Sequence, residues 1–203
     1  MIRVFLGGEG VDELGRFAHA SAYAKHVSSK GEEQKGRGIL EALAERLKGQ
    51  PLEFVGGLAW HRIRKNKRMR GVTSAEARNV MGLALDAKAA GCDAMVFVRD
   101  QDGHSQRAAD VEEGIRAARS HCPGLLIIGG MAVEEVEAWL LAMLGERKSE
   151  SHKHPKEVLQ ERHGISNRFD KTRVVEEANF AKLPEDAHSL RTWMSRFSGD
   201  FSR

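Results

Sequence analysis

The stretch Asp93-Ala-Met-Val-Phe-Val-Arg-Asp-Gln-Asp-Gly103 decides the fold class. Its residues 94–98 are apolar without interruption, and the chain then passes into Arg99-Asp-Gln-Asp-Gly103. A strand with one wet face alternates apolar and polar residues, whereas a short continuous run suits a strand buried on both faces, as in a parallel sheet. Residues 2–6, interrupted only by Arg3, and 125–128 repeat the pattern, each followed by glycine, and residues 52–58 form a weaker run containing Gly56 and Gly57. Between these runs the apolar residues recur at helical spacing. Leu14, Phe17, Ala18 and Ala22 mark one helix; Ile39, Leu40, Leu43, Ala44 and Leu47 mark a second. A third covers 74–90, with Thr73–Ser74 as its cap. Strands alternating with helices predict an α/β fold with a mainly parallel, Rossmann-like sheet flanked by helices.

Composition sets the outer bounds. The 203 residues carry 32 Lys+Arg against 29 Asp+Glu, a net charge of +3, so overall charge selects no class of partner. An apolar share of 41% is enough for a core and excludes a disordered chain. No apolar run reaches the roughly 18–20 residues of a membrane helix, and MIRVFLGGEG lacks the basic start and apolar length of a signal peptide. Cys92 and Cys122 are too few for a disulfide framework or a four-cysteine zinc site. A cytoplasmic protein without membrane contact is expected. After Leu144 the sequence turns polar: 145–156 reads as a mobile connection, followed by short amphipathic helices over 156–162, 171–178 and 188–197. The expected organisation is a 1–144 core, with a basic insertion around 61–71, and a 145–203 linker and helical appendage.

Acidic residues fall where strands end. The first run leads into Gly7-Gly8-Glu9-Gly10. A dinucleotide fingerprint would require glycine where Glu13 stands, and no Lys-Ser/Thr completes a P-loop. A carboxylate at this place makes sense if a divalent cation lies between it and a phosphate. Asp100 and Asp102 follow the 94–98 run; like charges so close repel unless a cation separates them, and hard oxygen donors in that number suit Mg2+. The stretch 131–145 reads as a helix whose Val133, Val136, Leu140, Leu141 and Leu144 form one apolar arc. At about 100° per residue Glu137 lies inside that arc, Glu134 borders it and Glu135 points away. A carboxylate in a buried stripe costs several kcal/mol unless a cation or strong donors meet it. Glu137 is therefore a site residue by its misfit; its structural alternative is an ion pair with a core arginine such as Arg99.

These residues, in this order, resemble the Toprim fold of topoisomerases, primases and overcoming-lysogenization-defect nucleases, with Glu9 inside Gly8-Glu9-Gly10 and then Asp100 and Asp102. The chain is more closely similar to a family of small stand-alone Toprim-like proteins often encoded beside ABC-type ATPases in prokaryotic defence loci. Its Glu-Gly-x-x-Glu opening matches Glu9-Gly10-Val11-Asp12-Glu13, its Glu-Ala-Trp-Leu helix matches Glu137-Ala138-Trp139-Leu140, and its Pro-Lys segment matches Pro155-Lys156. Asp12 stands where that family often has Thr or Ser. The resemblance implies a Toprim-like sheet and divalent metal, Mg2+ or Mn2+, with Glu9, Glu13, Asp100, Asp102, Glu134 and Glu137 as the ligand set. It also implies a phosphodiesterase, a nuclease on DNA or RNA, with an ATPase partner. In the mechanism expected, Asp100, Asp102 and Glu137 bind the ion and Glu9 orients or deprotonates water.

The segment His61–Arg70 holds six cations, Arg62, Arg64, Lys65, Lys67, Arg68 and Arg70. Concentrated positive charge attracts a phosphate backbone without reading sequence, so these are the expected nucleic-acid contacts. Lys156 and Lys171 are candidates for neutralising a transferring phosphoryl group, and His104 for proton transfer. His152 and His154 lack a third zinc-spaced ligand, and Trp139 and Trp193 belong to the core. Two other readings stay open: a non-catalytic regulatory or adaptor subunit of an ATPase complex, and a phosphotransferase or phosphatase using Asp100 as nucleophile.

Overall fold

The computed structural model describes residues 1–18, 36–48, 52–63 and 72–201. Ala22 and the basic residues Arg64, Lys65, Lys67, Arg68 and Arg70 lie outside the described residues. Four strands form one parallel sheet among the described residues: β1 (Ile2–Gly8), β2 (Leu52–Ala59), β3 (Ala94–Asp100) and β4 (Leu126–Ala132). Their order is β2-β1-β3-β4. Successive side chains on a strand point to opposite faces, and the core divides accordingly. Val4, Leu6, Val96, Val98 and Ile128 enter one apolar cluster, while Phe5, Met95, Phe97 and Ile127 enter the other. Both faces are thus buried, which is why β3 reads as an uninterrupted apolar run and β1 and β4 as nearly continuous ones.

The second cluster is covered by α3 (Ala75–Ala89) and α4 (Ser105–His121). Ser74 caps α3, its Oγ accepting from Ala77 N at 3.0 Å. No helical period announces α4. It buries only Val111, Gly114, Ile115 and Ala118, a narrow stripe whose Gly114 packs closely on α3. The first cluster is covered by α2 (Ile39–Lys48) and α5 (Val136–Met143), with the very short α1 (Val11–Leu14) following β1.

Two expectations are corrected here. Met131 and Ala132 belong to β4, not to a helix beginning at 131, because the β3–β4 ladder continues through Arg99↔Met131 and Asp100↔Ala132. Helix α5 starts only at Val136, after Glu134 turns the chain with φ +60°. The segment after Leu144 is also not an appendage. Helices α6 (Pro155–His163), α7 (Arg168–Glu177) and α8 (His188–Phe201) send Leu159, Val174, Val175, Leu190, Trp193 and Phe197 into the same cluster as Val4 and Val96. The supposed linker is fastened as well, with Glu150 Oε1 accepting from Ser189 N at 2.8 Å and Oγ at 2.7 Å. Trp139 and Trp193 are buried core residues with ring centroids 5.7 Å apart. No helix among the described residues is long and apolar enough to cross a membrane.

Close packing across the sheet fixes one glycine. A Cβ on Gly129 of β4 would stand 2.1 Å from the Phe97 ring of β3. The Gly129→Ala variant is expected to lose about 1–3 kcal/mol, the cost of overpacking a tight core. The check is a lower urea midpoint at unchanged slope.

Candidate acidic cleft at the carboxyl end of the sheet

In an open parallel sheet the crevice lies where the strand order reverses, outside the carboxyl ends of the strands. Here the chain moves from β1 outward to β2 and then crosses back to β3, so the reversal falls between β1 and β3. An open cleft of ≈300 Å³ lies there, lined by six carboxylates, Glu9, Asp12, Glu13, Asp100, Glu135 and Glu137, and by Lys156.

Each acid is placed by its element. Asp100 is the last residue of β3, 8% exposed, and its Oδ1 accepts from Val136 N at the start of α5 at 3.0 Å. Burial, then the neighbouring charges of Glu13, Glu137, Asp102 and Glu135, push its carboxyl up to about 8. Glu13 folds back across α1, its Oε2 accepting from Gly10 N at 2.8 Å. Burial holds its carboxyl above the usual range despite the backbone bonds that favour the charge. Glu135, just before α5, is likewise raised by burial first and by Glu137 next, and its Oε2 is buried without a hydrogen-bond partner.

Glu137 lies in the first turn of α5, buried as its place in the apolar arc requires, and the cation that meets it is Lys171 of α7. The Lys171 Nζ donates to Glu137 Oε1 at 2.6 Å and to Asp12 Oδ2 at 2.5 Å. Burial alone would lower the ammonium, but Glu137 and Asp12 outweigh it and the net direction is upward. Arg99 does not take Glu137, as the structural alternative supposed. It pairs with Glu9 and with Glu76, Nη2 to Oε1 at 3.0 Å, and lies 5.5 Å from the centre of the Trp60 ring. Trp60 Nε1 donates to Glu76 Oε2 at 2.7 Å, closing that network.

The structure does not place every expected residue in the cleft. Asp102 is 46% exposed at its side chain and pairs with Arg107 Nη1 at 2.7 Å. It lies beyond the end of β3, at φ +49°, so the two-residue period that would have put it beside Asp100 no longer applies. Glu134 also misses the cleft lining; its carbonyl accepts from Asp102 N at 3.1 Å. Glu135 takes its place, since residues 133–135 precede the helix and a helical wheel misplaces them. Lys156 is exposed on the rim at the start of α6, whereas Lys171 is wholly buried beneath the acids. Arg62 is exposed in the short turn Trp60–Arg62 that leaves β2 at this same sheet edge. His104 is exposed at the start of α4, and His154 is exposed too. His152 and His163 instead flank Glu146, at 3.6 and 2.8 Å.

No family model, curated protein or solved structure matches the chain. The chemistry must therefore be read from the cleft itself. Lys171 answers Asp12 and Glu137, and Arg99 answers Glu9. Glu13 is met by Gly10 N, Asp100 by Val136 N and Glu135 by Lys156, and all three carry raised carboxyls. Among the described residues no three His, Cys, Asp or Glu side chains are placed so that they could hold a metal ion as they stand. The chemistry of the donors is nevertheless of the right kind: hard carboxylate oxygens, one of them the buried Glu135 Oε2 without a hydrogen-bond partner, are what a divalent cation would satisfy. Asp12, Glu135 and the Arg99–Glu76–Trp60 network carried no signal in the sequence beyond their residue types.

Proposed function

We propose that the chain is a divalent-metal-dependent phosphodiesterase of Toprim type, a nuclease acting on DNA or RNA. The observation that carries this reading is that Glu13, Asp100 and Glu135, each raised by burial and by neighbouring carboxylates, line one cleft between β1 and β3. Those three residues would hold Mg2+ or Mn2+. When bound, such an ion supplies Lewis-acid polarisation of a phosphoryl oxygen and a water acidic enough to attack at neutral pH.

The chain's own residues do the rest. Asp100 is fixed by Val136 N, so its free oxygen keeps one direction. Glu9 is tied to Arg99 and orients water rather than shuttling its proton. Lys156 on the rim is free to meet a phosphate oxygen entering from solvent. The basic segment opening at Arg62 would hold the polymer backbone with little sequence preference. By the same resemblance, an ABC-type ATPase would be the partner that supplies recognition or gating in a prokaryotic defence system.

A second reading, a non-catalytic regulatory or adaptor subunit, draws on the internal pairing of Glu9, Asp12 and Glu137 with buried cations. The test is incubation of the purified chain with supercoiled plasmid, single-stranded DNA and RNA, with and without Mg2+ or Mn2+, alongside calorimetric titration with Mn2+. Cleavage that requires the ion and stops with chelator is expected. Absence of both cleavage and Mn2+ binding overturns the nuclease reading in favour of the adaptor.

A further inference from the structure

Lysine is almost never completely buried unless paired, yet Lys171 has no exposed surface at all. Its ammonium stands 2.6 Å from Glu137 Oε1 and 2.5 Å from Asp12 Oδ2. It thereby joins the loop after β1 to the helix after β4 from a third element, α7. A group so enclosed cannot reach a phosphate in the open cleft, so Lys171 does not neutralise a transferring phosphoryl group, as its residue type had suggested. An ammonium is a compact point charge, and here it occupies the place between two carboxylates that a cation would take.

We propose that Lys171 is a built-in cation that closes the Asp12–Glu137 side of the cleft to metal, so that the chain takes up one divalent ion, on the Glu13, Asp100 and Glu135 side, and not two. This deepens the metal-dependent reading above and rests on it. Two-metal sites place their ions roughly 3.5–4 Å apart and share carboxylates between them. Six carboxylates line this cleft, enough in number for two ions. Lys171 engages two of them and Arg99 a third. A second ion would need Glu137 and would have to expel an ammonium from a fully buried position, leaving a buried charge unpaired.

The test counts ions, not turnover. Calorimetric titration of the full chain with Mn2+, supported by the Mn2+ electron paramagnetic resonance signal, is expected to give one ion per chain. A triple variant, Asp12→Asn, Glu137→Gln and Lys171→Met, replaces the buried ion pairs with neutral groups of similar size, a change such cores tolerate. It is expected to bind one ion with an affinity close to that of the wild type, because none of the three residues touches it. If Glu137 were a ligand, the triple variant would instead lose about tenfold or more in affinity. The single Lys171→Met variant vacates the cation's place between two carboxylates and is expected to take up a second Mn2+, with a larger Mn2+-induced rise in Tm than the wild type. Should that variant not fold, the wild-type count and the triple variant still decide. Two ions in the wild type, or a triple variant that loses Mn2+, overturns the role of Lys171 while leaving the nuclease reading in place. No Mn2+ bound by the wild type removes the nuclease reading itself, and this inference with it.

Discussion

Replacing Asp100 with asparagine is expected to reduce divalent-dependent cleavage to the level seen without metal, and at the same time to make the protein less sensitive to rising pH. The two effects share a cause. Asp100 is buried and surrounded by Glu13, Glu137, Asp102 and Glu135, which hold its carboxyl at about 8 instead of the ordinary 3.8. Between those two values the folded chain keeps a proton that the unfolded chain has released. Stability must therefore fall as pH rises through the window, by about 1.4 kcal/mol for each unit of pKa difference, or on the order of 5 kcal/mol over the whole of it. Below pH 4 both states hold the proton and the loss vanishes. Asparagine carries no charge and its side-chain oxygen can still accept from Val136 N, so the variant should lack most of this slope. Urea denaturation of both proteins at pH 5 and pH 8 makes the comparison. Mn2+ at pH 8 is expected to restore stability to the wild type and not to Asp100→Asn, since the ion takes the place of the proton. Equal pH slopes in the two proteins, or equal rescue by Mn2+, would detach Asp100 from the acidic cluster on which the proposed chemistry depends.

How much of this was readable in the residues depended on whether neighbours in sequence or neighbours in space supplied the constraint. Strands β1, β3 and β4 were legible because burial on both faces leaves a continuous apolar run, and the run is local. Glu137 was legible because a carboxylate in an apolar stripe is a contradiction that only a partner can resolve. The partner was not legible: Lys171 lies 34 residues further on, in a helix whose apolar residues are few. Helix α4 escaped because its buried stripe includes Gly114 and Ala118, small residues that pack closely on α3 but add nothing to an apolar period. The ends of elements escaped for a related reason. Pairing with β3 extends β4 to Ala132, and φ +60° at Glu134 then sets the phase of α5. Those backbone features decide that Glu135, and not Glu134, lines the cleft. Asp102 was drawn beside Asp100 by a period that holds only inside a strand, and Arg107, on an unforeseen helix, captures it instead.

The largest loss of stability is expected from Trp193→Ala, a substitution in the segment whose composition suggested an appendage. Trp193 is 1% exposed, packs against Trp139 and Phe197 at centroid distances of 5.7 and 5.6 Å, and donates through Nε1 to the carbonyl of Phe97 at 2.9 Å. Phe97 is a middle residue of β3, and the neighbouring Arg196 donates to Gly129 of β4 at 2.9 Å. Helix α8 is therefore bonded to the backbone of two strands and shares their core. Truncating a fully buried tryptophan to alanine costs about 3–5 kcal/mol, which is a large share of the roughly 5–15 kcal/mol that holds a typical domain together. Trp193→Phe keeps most of the packing and should lose less, on the order of the 1–3 kcal/mol that follows an unmade buried hydrogen bond. The form of the transition carries as much information as its position. If 145–203 and the sheet share one core, both variants unfold in a single step, at lower urea midpoints and with the slope of the wild type, because the same surface is exposed. Were the C-terminal helices a separate unit, Trp193→Ala would melt them first and leave a second transition at the wild-type midpoint, still reported by the sheet.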